Sequence, residues 1–290
     1  MKVPVKVDGR ELTLSNLNKV LYPDYGFSKA EVIDYYTRVA PVLLPHLRGR
    51  PLTVKRYPNG VNGQFFFEKN TPEHTPAWVR RANLPAPGST KNRERIDFAI
   101  VDDLPTLVYY ANLAALELHV PQWRVDEDGE ALKPDTLVFD LDPGAPATIV
   151  ECCEVALMLR EVLQVEGLTA RPKTSGNKGM QLYADWDCRE EPSVYAKRLA
   201  QFLEKERPKQ IVSVMTKKAR PGKVFIDWSQ NNPAKTTVAP YSLRARELPT
   251  VSTPLTWEEV EGCERPEDLV FTAPDVLARV EKRGDLFGRA

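Results

Sequence analysis

An apolar run that ends on two acids constrains this chain more than any other feature. In "TLVFDLDPG", Thr136 to Gly144, large hydrophobic residues alternate with carboxylates before a Pro-Gly stop. Side chains two residues apart on a strand point to the same face, so Asp140 and Asp142 project together, their Cα atoms roughly 6.5–7 Å apart. Leu137, Phe139 and Leu141 then take the opposite face, toward a core. Two ionised acids this close repel, which costs stability unless cations lie between them. Hard divalent ions with oxygen ligands answer that need. Metals about 3.5–4 Å apart, bridged by such carboxylates, serve polymerases and nucleases. The bland alternative is turn chemistry at an exposed strand end.

A third acid sits in "KVFIDWSQN", where Asp227 follows Phe225 and Ile226 and precedes Trp228. A charge buried alone is expensive, and ions shared with Asp140 and Asp142 would give it partners. Between the two acid strands lies "TSGNKGMQLY". Gly176 and Gly179 permit close backbone approach, and Ser175 and Lys178 add a hydroxyl and an ammonium, a composition able to cradle phosphates. It is not a Walker loop, since GxxxxGK[ST] is absent from the chain. Two other readings fall away. "KVDG", from Lys6 to Gly9, matches the lysine motif of nucleotide-transferring ligases but leaves no room upstream for that fold. Phosphatases of the haloacid dehalogenase type also use DxD, but usually near the chain start and with a later acid pair, for which this sequence offers no convincing match.

The remaining pattern predicts mixed elements. "VPVKVDGRELTL" alternates around Asp8-Gly9, a hairpin signature. "SKAE", Ser28 to Glu31, is a capping box ahead of a helix. Strands are expected near "LTVKRY", "QFFFE" and "DFAIV", with a helix over 76–82 between the last two. One helix is expected from "LPTLVYY" through "ALEL", ending at His119, and another over 148–166, closed by Gly167. Strands at "TARPKT" and "MQLYAD", a helix at "SVYAKRLAQFLEKE", strands at "IVSVM" and "VFIDW", and short helices near 257–261 and 274–282 complete the pass. With no simple βαβ rhythm, the class is α/β in the mixed, α+β sense.

The 40 basic residues equal the 40 acidic ones, which argues against a uniformly basic nucleic-acid binder. The charge is nonetheless segregated. Lys209 to Arg246 holds eight Lys or Arg and one acid, whereas Glu258 to Asp268 holds six acids and one Arg. A basic face or a solvated loop region both fit. Cys152, Cys153, Cys188 and Cys263 show no CxxC spacing and read as reduced thiols. "MKVPVKVDGR" lacks an apolar signal core, and Arg160 interrupts the greasiest helix, so the expected location is the cytoplasm, with no membrane span.

Several single residues stay open on residue chemistry alone. Lys29 opposes the dipole of its helix unless an anion docks there, shared with Lys19; otherwise it is a surface lysine. His119 in "LHVPQWR" is a helix-end partner or a catalytic group. Arg244 in "APYSLRAR" is a phosphate clamp or a solvated side chain. Phe65, Phe66 and Phe67 cannot share one strand face, so they pack on both faces or stack on bases.

Taken together and in this order, "LSNLNKVLYP", "FFFEK", "ELHVPQWR", "LVFDLDPG", "TSGNKGMQLY", "MTKKARPGKVFIDWSQN" and "KTTVAPYSLRAR" resemble the polymerase domain of bacterial DNA ligase D, within the archaeo-eukaryotic primase superfamily. The resemblance spans nearly the whole chain. It implies a single two-lobed primase-polymerase domain over 1–290, with an N-terminal lobe to about residue 100, a catalytic core to about 250 and a helical end. It implies template-dependent addition of nucleotides, commonly ribonucleotides, with manganese favoured over magnesium. Gap filling and end extension in non-homologous end joining, beside Ku and a DNA ligase at the nucleoid, follow from it. By motif match, Asp140, Asp142 and Asp227 would hold two metal ions. Lys55, His119, Ser175, Lys178, Gln181, Gln230 and Arg244 would line the nucleotide site. Phe66 or Phe67 would stack on the template or nascent pair. Asn16, Lys19 and Lys29 would hold the 5′-phosphate of a gap. The basic loop from Arg80 to Arg95 and the segment Lys217–Arg220 would handle DNA ends. One position departs: the family motif SGxKGxH ends here in Gln181, which carries no titratable charge. A non-catalytic end-bridging protein is the rival reading; Gln181 supports it and the intact acid triad opposes it.

Overall fold

The structure, a computed structural model, describes residues 2–85, 94–187 and 190–288. Turn and cap chemistry set its first elements. Strands β1 (Lys2–Val7) and β2 (Arg10–Ser15) pair antiparallel across Asp8 and Gly9, whose φ of 42° and 81° suit a primed turn. A short pair, β3 (Val20–Tyr22) and β4 (Phe27–Ser28), leads into α1 (Lys29–Leu47). Ser28 and Glu31 cap that helix reciprocally, as the sequence predicts. Val32, Tyr35, Tyr36, Val39 and Leu43 form its buried stripe. Next come β5 (Thr53–Arg56), β6 (Phe66–Glu68), β7 (Arg81–Pro85), β8 (Arg95–Ala99), α2 (Leu104–Asn112) and β9 (Ala115–Val120). The acid strand is β10 (Thr136–Pro143), followed by α3 (Ile149–Val165), β11 (Arg171–Thr174), β12 (Met180–Asp185) and α4 (Pro192–Glu206). Then β13 (Ile211–Val212), β14 (Val224–Asp227), β15 (Thr237–Val238), α5 (Trp257–Glu261) and α6 (Ala273–Arg283) close the chain.

Three local expectations are corrected. The helix expected over 76–82 is a turn running into β7, which pairs with β8 and buries alternate residues Ala82 and Leu84. The helix expected to reach His119 stops at Asn112. Ala114 takes a left-handed φ of 56°, and "ALELHV" continues as β9. "IVSVM" supplies only a two-residue strand, and Val214 and Met215 are exposed. Of the basic loop, residues 86–93 lie outside the described residues, as does Cys188. At the loop's described ends, Arg80 pairs with Asp102 and Arg95 bonds Asn83.

Two sheets position the site. The larger has the order β11-β12-β10-β14-β13, antiparallel except for β13 with β14. The other, β15-β9-β5-β6, is antiparallel throughout. Leu137, Phe139 and Leu141 of β10 pack with Cys152, Val155 and Leu159 of α3 and Leu199 and Leu203 of α4. The other face of β10 meets the second core at Val138, shared with α1, α2 and β9. That packing ends beyond Val138, so Asp140 is only partly buried and Asp142 is exposed. Cys152, Cys153 and Cys263 are buried free thiols. Among the described residues, no helix is long and apolar enough to cross a membrane.

Candidate active site between the two sheets

Strand pairing brings the three acids together. Asp140 stands directly opposite Asp227 in the β10–β14 register, and Asp142 lies one pleat along. Burial, the charge of Asp142 and the charge of Asp227 push the Asp140 carboxyl above its ordinary range, against the hydrogen bond from Gln181. Burial and Asp227 push Asp142 the same way, with Arg220 and Lys178 opposing. Asp227 is held by its own neighbours: Ser229 N–H donates to Oδ1 at 3.0 Å and Gln230 Nε2 to Oδ2 at 2.8 Å. Asp140 Oδ2 and both Asp142 oxygens take no hydrogen bond from the described residues. Hard oxygen donors with mutual repulsion and free lone pairs fit divalent cations. The acids stand around a gap rather than in a finished cage; among the described residues no three His, Cys, Asp or Glu side chains close on one point.

Gln181 answers its departure from the family motif. It faces Asp140 across the β10–β12 ladder and donates Nε2–H to Asp140 Oδ1 at 2.9 Å. Its Oε1 accepts from Lys173 Nζ at 2.6 Å. Lys173 is fully buried and also donates to Ser252 Oγ at 2.6 Å. Burial lowers the Lys173 pKa, Asp140 opposes that shift and Arg244 adds to it. The amide thus links a buried lysine to the Asp140 carboxylate. Lys173 was not singled out in the sequence; a lone lysine inside "ARPKT" looks like any strand residue.

The Gly-rich turn packs against β10 and the segment after β15. A Cβ on Gly179 would lie 2.0 Å from the Leu141 carbonyl oxygen, so only glycine lets the turn lie against β10. Ser175 Oγ accepts from the Asn177 and Gly179 N–H groups, which leaves Lys178 exposed at the tip. Arg244 Nη1 donates to the Ser175 carbonyl at 2.7 Å. Arg244 is therefore not a simply solvated side chain.

Lys55, His119 and Arg244 meet at a residue the sequence reading passed over. Glu117 faces Lys55 across the β5–β9 ladder and shares a strand face with His119. It is 2% exposed. Its Oε2 is 3.2 Å from Lys55 Nζ and 2.9 Å from His119 Nε2; its Oε1 is 3.4 Å from Arg244 Nε and accepts from Ala245 N–H at 3.2 Å. Burial would raise the Glu117 carboxyl, but the His119 hydrogen bond and the charges of Arg244, His119 and Lys55 hold it well below its usual range. Burial lowers the His119 pKa against the pull of Glu117. Reading "ALELHV" as a strand would have placed Glu117 beside His119; reading it as helix hid the pair.

A separate cluster forms at the start of α1. Lys29 is 6% exposed, not a surface lysine, and donates to the Ser15 carbonyl at 2.6 Å. Burial, then Lys19 and Arg56, lower its pKa to about 8. Lys19 N–H bonds the Asn16 carbonyl at 3.0 Å, and its ammonium reaches Asn59 at 2.8 Å. Asn16, Lys19 and Lys29 are thus brought together, apart from the acids. Phe65, Phe66 and Phe67 are all about half exposed, at 49%, 46% and 49%, on and beside edge strand β6. Lys217 is exposed, and Arg220 lies over the Phe225 ring at 3.7 Å.

The chain's likeness to known proteins agrees with this geometry. A family model described as LigD, primase-polymerase domain, matches residues 28–287. A multifunctional non-homologous end joining protein LigD of Mycolicibacterium smegmatis is 45% identical over 276 residues, 94% of this chain and 35% of that protein. The bifunctional LigD of Bacillus subtilis is 32% identical over 278 residues, 94% of this chain and 43% of that protein. The chain therefore spans less than half the length of these relatives. A solved structure, the polymerase domain from Mycobacterium tuberculosis ligase D in complex with DNA, matches with a TM-score of 0.88 and 44% identity, covering 95% of this chain and 96% of that one. The mixed α/β, primase-type fold implied by the sequence motifs is borne out.

Proposed function

The chain belongs to the family of LigD primase-polymerase domains, which are nucleotidyltransferases, and on that premise we propose that it adds nucleotides to primer 3′ ends during non-homologous end joining. Its substrates are gapped or broken DNA with a 5′-phosphate, and nucleoside triphosphates with ribonucleotides preferred. The observation that carries the reading is the cross-strand juxtaposition of Asp140 and Asp227 with Asp142 alongside. Those three side chains would hold two divalent ions, manganese or magnesium; when bound, such ions lower the pKa of the primer hydroxyl and neutralise the leaving pyrophosphate. Gln181 and Lys173 hold Asp140 from behind, and Ser229 and Gln230 hold Asp227. Lys55, His119, Ser175, Lys178 and Arg244 surround the triphosphate. Asn16, Lys19 and Lys29 take the downstream 5′-phosphate. Phe66 or Phe67 offers a ring for base stacking, and Lys217 to Arg220 engage the DNA end. The domain works as one unit over 1–290 at the nucleoid, beside Ku and a DNA ligase.

The test is primer extension on a short gapped duplex with a downstream 5′-phosphate, with either metal and either sugar. The variant Asp140→Ala with Asp142→Ala loses extension while keeping affinity for the gap. Wild-type protein that binds the gap and extends nothing would make it an end-bridging protein instead.

A further inference from the structure

We propose that Glu117 is the positioning residue of the nucleotide site: one buried carboxylate that joins Lys55, His119 and Arg244 into a single unit and, through Arg244, sets the Gly-rich turn against the four-stranded sheet. The proposal rests on the polymerase reading of the site. The four side chains come from β5, β9 and the segment after β15, and the turn belongs to the other sheet. Glu117 touches the other three side chains, and Arg244 ties that group to the turn, which Thr250 also holds through the Gly176 carbonyl.

The charge arrangement explains why a carboxylate stands there. Two permanent cations crowded together would repel and splay apart. Glu117 holds them while leaving Lys55 and Arg244 in excess over one carboxylate, so the unit stays cationic toward an anionic ligand. A nucleoside triphosphate has that chemistry. Glu117 also fixes His119. Its Oε2 faces Nε2 at 2.9 Å, so Nε2 carries the proton in the neutral ring and Nδ1 is an acceptor. Glu117 is 2% exposed, so it touches no ligand itself and acts through its three partners.

Glu117→Gln and Glu117→Asp test this in the full chain. In Glu117→Gln the amide nitrogen must face either the His119 and Lys55 donors or the Ala245 N–H and the Arg244 guanidinium. The expected result is a nucleotide KM raised about tenfold or more with kcat reduced less than about threefold. Affinity for a 5′-phosphorylated gap stays within about twofold, because Lys19 and Lys29 form a separate cluster. Glu117→Asp keeps the charge and recovers part of the KM. Long-range proton–nitrogen spectra of the three histidines report the ring directly. His119 is neutral with the proton on Nε2 in the wild type, and its tautomer or pKa changes in Glu117→Gln. An unchanged KM in a folded variant overturns the proposal. So does a parallel fall in KM performance, gap affinity and melting temperature, which would make Glu117 a support of the fold only. Failure of wild-type extension would remove the polymerase reading separately. ATP titrations with manganese, wild type against Glu117→Gln, would then decide the role of Glu117: equal affinities overturn it.

Discussion

Gln181 shows how much a single side chain can decide here. Its amide accepts from Lys173 and donates to Asp140, and both partners need it, one as a buried amine and one as a repelled acid. A neutral imidazole offers the same pair of functions, one nitrogen accepting and the other donating. That is why His in the family motif and Gln here can serve one role. Gln181→His is expected to retain far more extension than Gln181→Leu. Gln181→Leu also leaves Lys173 with one partner fewer, at a cost of about 1–3 kcal/mol, read from urea denaturation. Equal activity of the two variants would dismiss the role given to the amide. Lys29 gives a second residue-scale prediction. It is protonated in the free protein below about pH 8 and loses its charge above that value. On the proposed role, the 5′-phosphate pairs with the ammonium, so binding must recharge it at higher pH. Affinity for a 5′-phosphorylated gap should be steady up to about 8 and then fall by at most roughly tenfold per pH unit. A gap ending in a 5′-hydroxyl, or the variant Lys29→Met, should lack that step in fluorescence-anisotropy titrations. The acids were legible in the sequence because strand alternation is local: two residues apart means one face. Glu117 and Lys173 were not, because their partners come from segments such as Arg244 and Ser252, which no local pattern ties to them.

At the scale of elements, caps and turns were legible and lengths were not. Ser28 with Glu31 announces α1 through chemistry contained within four residues, and the structure shows the same box, Thr148 with Glu151, capping α3. The run from Leu104 to His119 carries apolar residues compatible with either period, and the break at Ala114 is a backbone conformation that its side chain does not advertise. Misreading β9 as helix separated Glu117 from His119, so one boundary error concealed half a site. Gly179 bears the sharpest test at this scale. A methyl group there meets the Leu141 carbonyl at 2.0 Å, on the strand that carries Asp140 and Asp142. Neither backbone can yield without parting β12 from β10 or lifting the turn. Gly179→Ala is therefore expected to cost ~3 kcal/mol or more in urea denaturation and to depress extension even where the protein stays folded. Gly167→Ala is the control: its Cβ meets nothing within 4 Å, although its φ of 78° still strains a side chain. If the two variants melt alike, the close approach is not what glycine serves at position 179.

For the whole molecule, the neutral charge sum conceals the surface that matters. Forty cations cancel 40 anions, yet the cations assigned to DNA fall in two groups, at Asn16 to Lys29 and at Lys217 to Arg220, while six acids collect between Glu258 and Asp268. Net charge sets long-range behaviour, whereas counterion release on binding counts only the phosphates actually neutralised. A neutral protein with a local basic surface should therefore still bind gapped DNA with a clear salt dependence. Lys19, Lys29, Lys217 and Arg220 each meeting one phosphate would give a slope of log affinity against log salt of about −3 to −4. Removing Lys217 with Arg220 should make that slope shallower by about 2 and leave the preference for a 5′-phosphate intact; removing Lys19 with Lys29 should abolish the preference as well. A flat salt response in the wild type would mean that the chain does not hold DNA through these residues, and the assignment of both groups would fall together. Paired slopes from titrations between about 50 and 200 mM salt distinguish the cases, because each pair of cations reports through a different substrate feature.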